Sequence, residues 1–347
     1  MSDITDQLDS LSTAIKSAGI PEELRSEIVL RLEQLKGLRD SPTFLPEFDR
    51  LNKYIDWILA LPWNVRTEDM LDLNHAREVL DKNHYGLNEI KDRILEYMSV
   101  MRLKQDKGEG EDILRAPILC FVGLVGTGKT TIASSIAEAM GRNFARIPFG
   151  GMGDPLDLRG QSRMHPEAEP GKIIKALRST KSKNCVILLD EIDRVTDEGR
   201  SSIMGVLVEL LDPEQNRSFS DHYLDYPFDL SEVMFIATAN NTHSISTAVL
   251  DRLEPIQMPS YSDQEKITIG RKYMLPKIIR QSGISSEALV IDDTVWPQIV
   301  RPLGYDAGMR TLERTIQGIV RRVAKDMVEG KIQTFKVTTE NVKQFLQ

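Results

Sequence analysis

Apolar positions in the first sixty residues recur at helical spacing. Ile4, Leu8, Leu11 and Ile15 are separated by four, three and four positions, and after Pro21 the stripe resumes with Leu24, Ile28, Leu32 and Leu35. A third stripe, Phe48, Leu51, Ile55 and Ile58, follows Pro46 and stops at Pro62. Three amphipathic helices are therefore predicted over 1–63. They form either a small bundle or a coiled arm, and packing onto the next domain is the favoured arrangement. Residues 64–84 are polar and predict a linker with one short helix. Tyr85-Gly86-Leu87 then opens an amphipathic helix reaching about Lys104, and Lys107 to Asp112 read as a surface loop.

From residue 118 the period changes. Apolar runs of strand length at 118–122, 144–147, 185–189 and 233–238 alternate with helical stretches at 128–140, 172–178 and 199–211. That succession predicts a parallel sheet with helices on both faces, an α/β fold. Pro259 closes it. Helical spacing returns at 264–274, 276–281, 294–300 and 308–328, which predicts a helical lid. The expected domains are thus 1–63, the N-terminal helical bundle or arm; 64–84, the linker; 85–259, the large α/β domain; and 260–347, the small helical lid.

Composition adds exclusions. With 347 residues and 41% apolar content the chain has room for two or three cores, and its formal charge of −8 offers no global field for nucleic acid. No apolar run is long enough to span a membrane, and the N-terminus is acidic where a targeting signal is basic, so a cytoplasmic place is expected. Cys120 and Cys185 sit inside apolar runs and read as buried strand thiols.

The chemistry begins where the first strand ends. Gly123-Leu-Val-Gly126-Thr127-Gly128-Lys129-Thr130-Thr131 joins an apolar strand to a helix, the pattern of a loop that wraps phosphates. Its glycines let backbone N–H groups point inward, Lys129 reaches the β and γ oxygens, and the Thr130 hydroxyl sits on Mg²⁺ at the helix N-terminus. An ATP and Mg²⁺ site follows. A second apolar strand ends in Asp190-Glu191, suited to holding the metal and to orienting and deprotonating the attacking water. Asp193 reads as a helix cap or salt-bridge partner. A third strand ends in Asn240, where an amide can position that water or the γ-phosphate. Arg252 and Arg310 are candidates to stabilise phosphoryl charge.

These motifs, in this order, resemble the AAA+ family and within it the ATPase module of the Lon proteases. The similarity is carried by Asp56-Trp-Ile-Leu-Ala-Leu-Pro-Trp63, Asp81-Lys-Asn-His-Tyr-Gly-Leu87, Leu211-Asp-Pro-Glu-Gln-Asn216, Asp221-His-Tyr-Leu224, Phe235-Ile-Ala-Thr-Ala-Asn240 and Gly308-Met-Arg310. The resemblance implies that Lys129 and Thr130 are Walker A, Asp190 and Glu191 Walker B, Asn240 sensor 1 and Arg310 sensor 2 on the lid. It implies that Arg252 is an arginine finger reaching a neighbour's nucleotide, hence a homohexameric ring. His84, Tyr85 and Gly86 would lie near adenine, and 218–228 would be the second pore loop.

Two stretches depart from that family. Lon proteases continue into a peptidase domain, whereas this sequence stops at Gln347 just after the lid. An ATPase acting on protein without cutting it is therefore expected. The alternatives are a regulatory or scaffold ATPase with one specific partner, and an excised ATPase segment of a longer protease. In the first pore loop, His165 and Pro166 stand where the family places an aromatic and an aliphatic residue, and Glu167 and Glu169 follow. Six copies would bring about twelve carboxylates near the axis, a field that repels acidic segments.

Overall fold

The computed structural model describes residues 2–107, 117–285, 287–301 and 308–346. The expected loop from Lys107 to Asp112 falls, from residue 108, outside them. The N-terminal stripes form α1 (Ser2–Ser17), α2 (Glu22–Gly37) and α3 (Phe44–Ala60). Pro46 is accommodated in the first turn of α3, where an intrahelical N–H is not needed. Next come α4 (Leu73–Asn83), capped by the Asp72 carboxylate on the N–H groups of Asn74 and His75 at 2.7 and 3.1 Å, and α5 (Asn88–Asp106).

Strand β1 (Ile118–Val122) then runs into α6 (Lys129–Ala139), and β2 (Phe144–Pro148) leads through one turn, α7 (Leu156–Arg159), to α8 (Lys172–Thr180). Strand β3 (Val186–Asp190) precedes α9 (Arg200–Leu211). A short antiparallel pair, β4 (Phe219–Ser220) and β5 (Pro227–Phe228), is followed by β6 (Met234–Ala239), α10 (Thr247–Leu250) and β7 (Leu253–Gln257). Five strands make one sheet in the order β2-β3-β6-β1-β7, parallel at every pairing.

The three central strands, β3, β6 and β1, are buried on both sides, as parallel sheets require. Cys120, Val122, Ile187, Leu189, Phe235 and Ala237 face a core shared with α8, α9 and the three N-terminal helices. Leu119, Phe121, Val186, Leu188, Met234 and Ile236 face the opposite core, built with α4, α5 and α6. The N-terminal helices are joined to the sheet domain by an aromatic seam. Trp63 lies 4.8 Å from Phe228 and 6.0 Å from Tyr226, Trp57 lies 6.5 Å from Tyr223, and the Tyr54 hydroxyl donates to the Leu224 carbonyl at 3.0 Å.

The 64–84 stretch, expected as a linker, is packed along its length. Asp69 holds the buried Arg142 guanidinium through Nε at 2.7 Å, Met70 N–H donates to the Met140 carbonyl at 3.0 Å, and α4 buries Ala76, Val79 and Leu80 in the second core. Its polar residues bond to the domain surface, which is why hydrophobic periodicity alone did not reveal the packing.

Strand β7 is absent from the sequence-based expectation. Leu-Glu-Pro-Ile-Gln carries only two large apolar residues and a proline, and Pro255 is tolerated because β7 is an edge strand. Beyond it α11 (Asp263–Ile269), with a capping box between Ser262 and Glu265, continues through a π-helical turn at Gly270–Met274 into α12 (Leu275–Ser282). Then follow β8 (Leu289–Ile291), α13 (Trp296–Val300), α14 (Arg310–Val328) and β9 (Phe335–Val337). The expected helical lid therefore also contains a parallel β8–β9 pair, whose three-residue strands are too short to show a period. Trp296, Ile316, Ile319 and Val323 centre its separate core. Among the described residues no helix is long and apolar enough to cross a membrane.

Phe228 is 1% exposed and anchors the aromatic seam. Phe228→Ala should lower stability by about 3–5 kcal/mol in denaturant unfolding, while Tyr226→Ala at the rim should cost less than about half of that. Equal losses would mean that the seam is not what fastens α3.

Candidate functional site

The exit end of β1 sets the geometry. Gly123 N–H donates to the Ala239 carbonyl at 3.1 Å, keeping the loop's first residue on β6. Gly126 and Gly128 then take φ of +84° and +96°, in the left-handed region that favours glycine, and fold the loop back so that α6 starts at Lys129. The first N–H groups of α6 thus face the cleft. Thr127 Oγ1 donates to the Leu124 carbonyl at 2.9 Å and Thr131 Oγ1 to that of Gly128 at 2.8 Å, which stiffens the turn.

Lys129 is buried, and its ammonium is directed inward. Nζ donates to the carbonyls of Gly123 at 2.6 Å and Leu124 at 3.0 Å and to Asn240 Oδ1 at 3.2 Å. Burial moves its pKa down, opposed by the charges of Asp193, Asp190 and Glu191 and assisted by that of Arg310.

Asp190 ends β3 with 3% exposure. Its Oδ2 accepts from Arg146 Nε at 2.6 Å, and its Oδ1 accepts from the Thr238 hydroxyl. Thr130 Oγ1 is 3.4 Å from both carboxylate oxygens. One hydroxyl and one carboxylate, both hard oxygen donors, fit Mg²⁺, which keeps waters and phosphate oxygens in its remaining positions.

Glu191, the next residue, has φ of +59°, an uncommon conformation for a side chain with a Cβ. Its N–H donates to Thr238 Oγ1 at 2.9 Å, and its carboxylate lies 3.7 Å from the Arg194 guanidinium. Asp193 departs from the cap or salt-bridge role expected of it. It is buried and accepts from the amide nitrogens of Asn240 at 3.4 Å and Asn241 at 3.5 Å, because the turn after β3 brings it under the end of β6.

The lid closes on the loop. Met309 N–H donates to the Gly126 carbonyl at 3.0 Å, and the Tyr261 hydroxyl donates to that of Thr127 at 3.3 Å. Gly308 must be glycine here, since a Cβ would fall 2.3 Å from the Val125 carbonyl oxygen. Arg310, the first residue of α14, is thereby set over the loop. A cleft of about 720 Å³ results, lined by His84, Tyr85, residues 126–131, Asp190, Glu191 and Arg310, with Tyr273 and Ile278 from the lid. Gly123 and Asn240 stand behind Lys129, bonded to it, and Gly86 follows Tyr85 with φ of +65°. The His84 ring is buried, with Nε2 2.9 Å from Ser135 Oγ on α6.

Arg252 is held apart from this assembly. Its carbonyl accepts from Ile118 N–H at 3.0 Å, so it lies at the entry end of β1, about 17 Å of strand away from the loop. Its guanidinium donates to Asp212 Oδ2 and to the Ala248 carbonyl, each at 2.8 Å.

Thr238, Arg146, Asp212 and Tyr261 were not singled out from sequence. Thr238 alone left a trace, as the one polar residue in β6.

The 161–169 loop lies elsewhere, against the N-terminal helices. Gln161 N–H donates to the Glu169 carbonyl at 3.1 Å, closing the loop, and the Arg163 guanidinium stacks 3.9 Å from the Tyr54 ring centre. The 218–228 stretch, expected as a second pore loop, is tied to its base. Asp221, fully buried, accepts from the N–H groups of Gly171, Tyr223 and Leu224 at 2.8, 2.9 and 3.1 Å. Burial raises its pKa despite these donors. A cavity of about 1010 Å³ between α2, α3 and the two loops is larger than the cleft beneath the lid but shares no residue with it. The loop, helix N-terminus and paired carboxylates make the smaller one the chemical site.

Residues 119–261 match the family described as ATPase family associated with various cellular activities (AAA), and residues 280–336 match the Lon protease AAA+ ATPase lid domain. The chain is similar to Lon protease from Lawsonia intracellularis, 43% identical over 344 residues, which cover 99% of this chain and 40% of that protein. Lon protease from Desulfovibrio desulfuricans is 42% identical over 342 residues, 98% of this chain and 38% of the relative. Lon protease 2 from Thermus thermophilus is 39% identical over 345 residues, 98% of this chain and 42% of the relative. The chain thus spans about two fifths of the length of the curated relatives it matches.

Burial, and then the charge of Lys91, pushes the His84 pKa down to about 4 from 6.5. Between those values the unfolded chain binds a proton that the folded chain refuses, so stability falls as pH falls through the window. From pH 7 to pH 4 the wild type should lose about 3 kcal/mol more than His84→Gln in denaturant unfolding. Parallel pH profiles would mean that the folded ring takes the proton as readily as the unfolded one.

Proposed function

The chain belongs to the AAA ATPase family, in its Lon branch, and from that premise we propose that it binds ATP with Mg²⁺ and hydrolyses it to ADP and phosphate. The observation that carries this reading is the junction of Lys129, Thr130, Asp190 and Asn240 at the exit ends of β1, β3 and β6, hydrogen-bonded to one another beneath the lid.

The Lys129 donors now on the loop's own carbonyls pass to the β and γ oxygens, and the N–H groups opening α6 cradle the phosphates. Thr130 and Asp190 would hold the Mg²⁺, and the metal would supply positive charge to the phosphates. Glu191 takes a proton from the attacking water, whose oxygen bonds the γ-phosphorus as the bond to the β–γ bridging oxygen breaks. Asn240 orients that water or the γ-phosphate, and Arg310 brings a positive charge from the lid. His84, Tyr85 and Gly86 border the adenine.

Arg252 cannot serve its own cleft from the opposite end of β1, which supports action on the nucleotide of a second copy. A closed ring satisfies every copy alike, and a homohexamer is the ring that the Lon resemblance implies. The relatives are proteases by name, which supports protein as the substrate on which the ring acts. In the 161–169 loop Met164 is 86% exposed and precedes the exposed His165 and Pro166, so the contact offered to a passing chain is an unbranched thioether rather than an aromatic.

Lys129→Ala should abolish ATP binding in a calorimetric or fluorescent-nucleotide titration. Glu191→Gln should bind ATP normally and turn over roughly 10²- to 10⁴-fold more slowly. Equal loss of affinity in both would refute the division of roles. Arg252→Ala mixed with Lys129→Ala should recover part of the turnover that each lacks, because a mixed ring pairs an intact site with an intact finger. No recovery in rings shown to exchange subunits would place Arg252 outside catalysis.

A further inference from the structure

Strand β6 reads Met-Phe-Ile-Ala-Thr-Ala, and every residue in it is buried. A hydroxyl at its fifth position is an anomaly unless both its hydrogen-bonding capacities are used. In Thr238 they are. Oγ1 donates to Asp190 Oδ1 and accepts the Glu191 N–H at 2.9 Å. A hydroxyl has one proton, so giving it to the carboxylate leaves the lone pair for the amide, and the two bonds define each other's direction.

The location matters as much as the bonds. The β3–β6 ladder pairs Leu189 with Ala237, and Thr238 is the next residue along β6, where β3 stops and the chain turns. There Glu191 adopts its left-handed φ of +59°. The Glu191 amide, turned off the ladder, has the Thr238 hydroxyl as its acceptor. Asp190 has a second strong partner in Arg146 on β2, but that side chain is half-exposed, whereas Thr238 is fully buried.

We propose that Thr238 is a positioning residue for hydrolysis: its hydroxyl clamps the Asp190 carboxylate and the Glu191 peptide together, so that the metal-holding oxygen and the base address one point. This rests on the ATPase reading above. The competing view, that the hydroxyl merely satisfies buried groups, predicts lost stability without a specific catalytic defect.

Thr238→Val keeps shape and β-branching and removes only the hydroxyl, and Thr238→Ser keeps the hydroxyl and removes the methyl. Expected for the valine variant is a roughly 10- to 100-fold lower kcat, with ATP affinity without metal within about threefold of wild type. Mn²⁺ affinity of the protein–ADP complex, followed by electron paramagnetic resonance, should weaken in the same variant. Serine should restore kcat to within about threefold. In a Glu191→Gln background, adding Thr238→Val should lower kcat by clearly less than it does in the wild type, because the base is already gone and only the Asp190 side of the clamp is left to lose.

Wild-type turnover is the control that separates the two ideas: no ATP hydrolysis by the wild type sinks the ATPase reading itself. Hydrolysis by the wild type with an unimpaired valine variant and unchanged Mn²⁺ affinity overturns the role of Thr238. So does a full multiplicative loss in the Glu191→Gln background. If the valine variant does not fold, serine decides. The proposal then requires a lower melting temperature with kcat nearly intact, and a serine variant slowed about tenfold or more contradicts it.

Discussion

A carboxylate buried at the end of a parallel strand is the constraint on which the rest of the molecule depends. An ionised side chain at 3% exposure is tolerable only where hydrogen bonds replace the lost water, and Asp190 is surrounded by groups from three elements: Arg146 on β2, Thr238 on β6 and Thr130 on α6. None of them is near it in sequence. They meet because β3 lies between β2 and β6, and because β6 lies beside β1, whose loop delivers Thr130. The strand order thus satisfies a single side chain. Lys129 belongs to the same electrostatic unit, since burial drives its pKa down while Asp193, Asp190 and Glu191 hold it up.

What could be read from the sequence follows the physics of each signal. The phosphate loop was legible because its glycines, lysine and threonines are contiguous, and they stand between an apolar run and a helical stripe. Asp190 and Glu191 were legible because two carboxylates ending an apolar strand break a burial pattern. The α/β alternation announced the fold for the same reason. Strand β7 was not legible, since an edge strand needs one buried face and tolerates Pro255 and Glu254. Thr238, Arg146 and Asp193 work through contacts across strands. Only the register that aligns Leu189 with Ala237, and Pro148 with Asp190, brings them to bear.

The N-terminal helices and the two loops show a similar division. Helical stripes foretold α1 to α3, but not that Tyr54, Trp57 and Trp63 would meet Tyr223, Tyr226 and Phe228. Large aromatic faces desolvate a wide area per residue, so a few of them hold three helices to a domain edge. The large side chains of the 218–228 stretch are spent on this seam and on the core: Phe219, Tyr223, Leu224 and Phe228 are all buried. Apart from Pro227, what the stretch offers solvent is polar. The acidic character foreseen for the first loop is also reduced, because Glu169 pairs with Lys175 at 2.6 Å and that bond holds its carboxyl below the usual range. Glu167 keeps the exposed charge.

Arg252 brings the argument to the level of assembly. Its guanidinium is 27% exposed and its partner Asp212 is 21% exposed, with the Asp212 carboxylate itself fixed by the N–H groups of Glu214 and Gln215 at 3.0 and 3.2 Å. The pair is thus largely buried, and among the described residues the Arg252 Nε has no hydrogen-bond partner. The pairing therefore orders the side chain and leaves one of its donors unused. An arginine held in this way, with a donor to spare, suits the proposed role of reaching the nucleotide of a second copy. The fold itself supplies the separation from its own cleft: the loop leaves β1 at one end, and Arg252 enters β7 at the other.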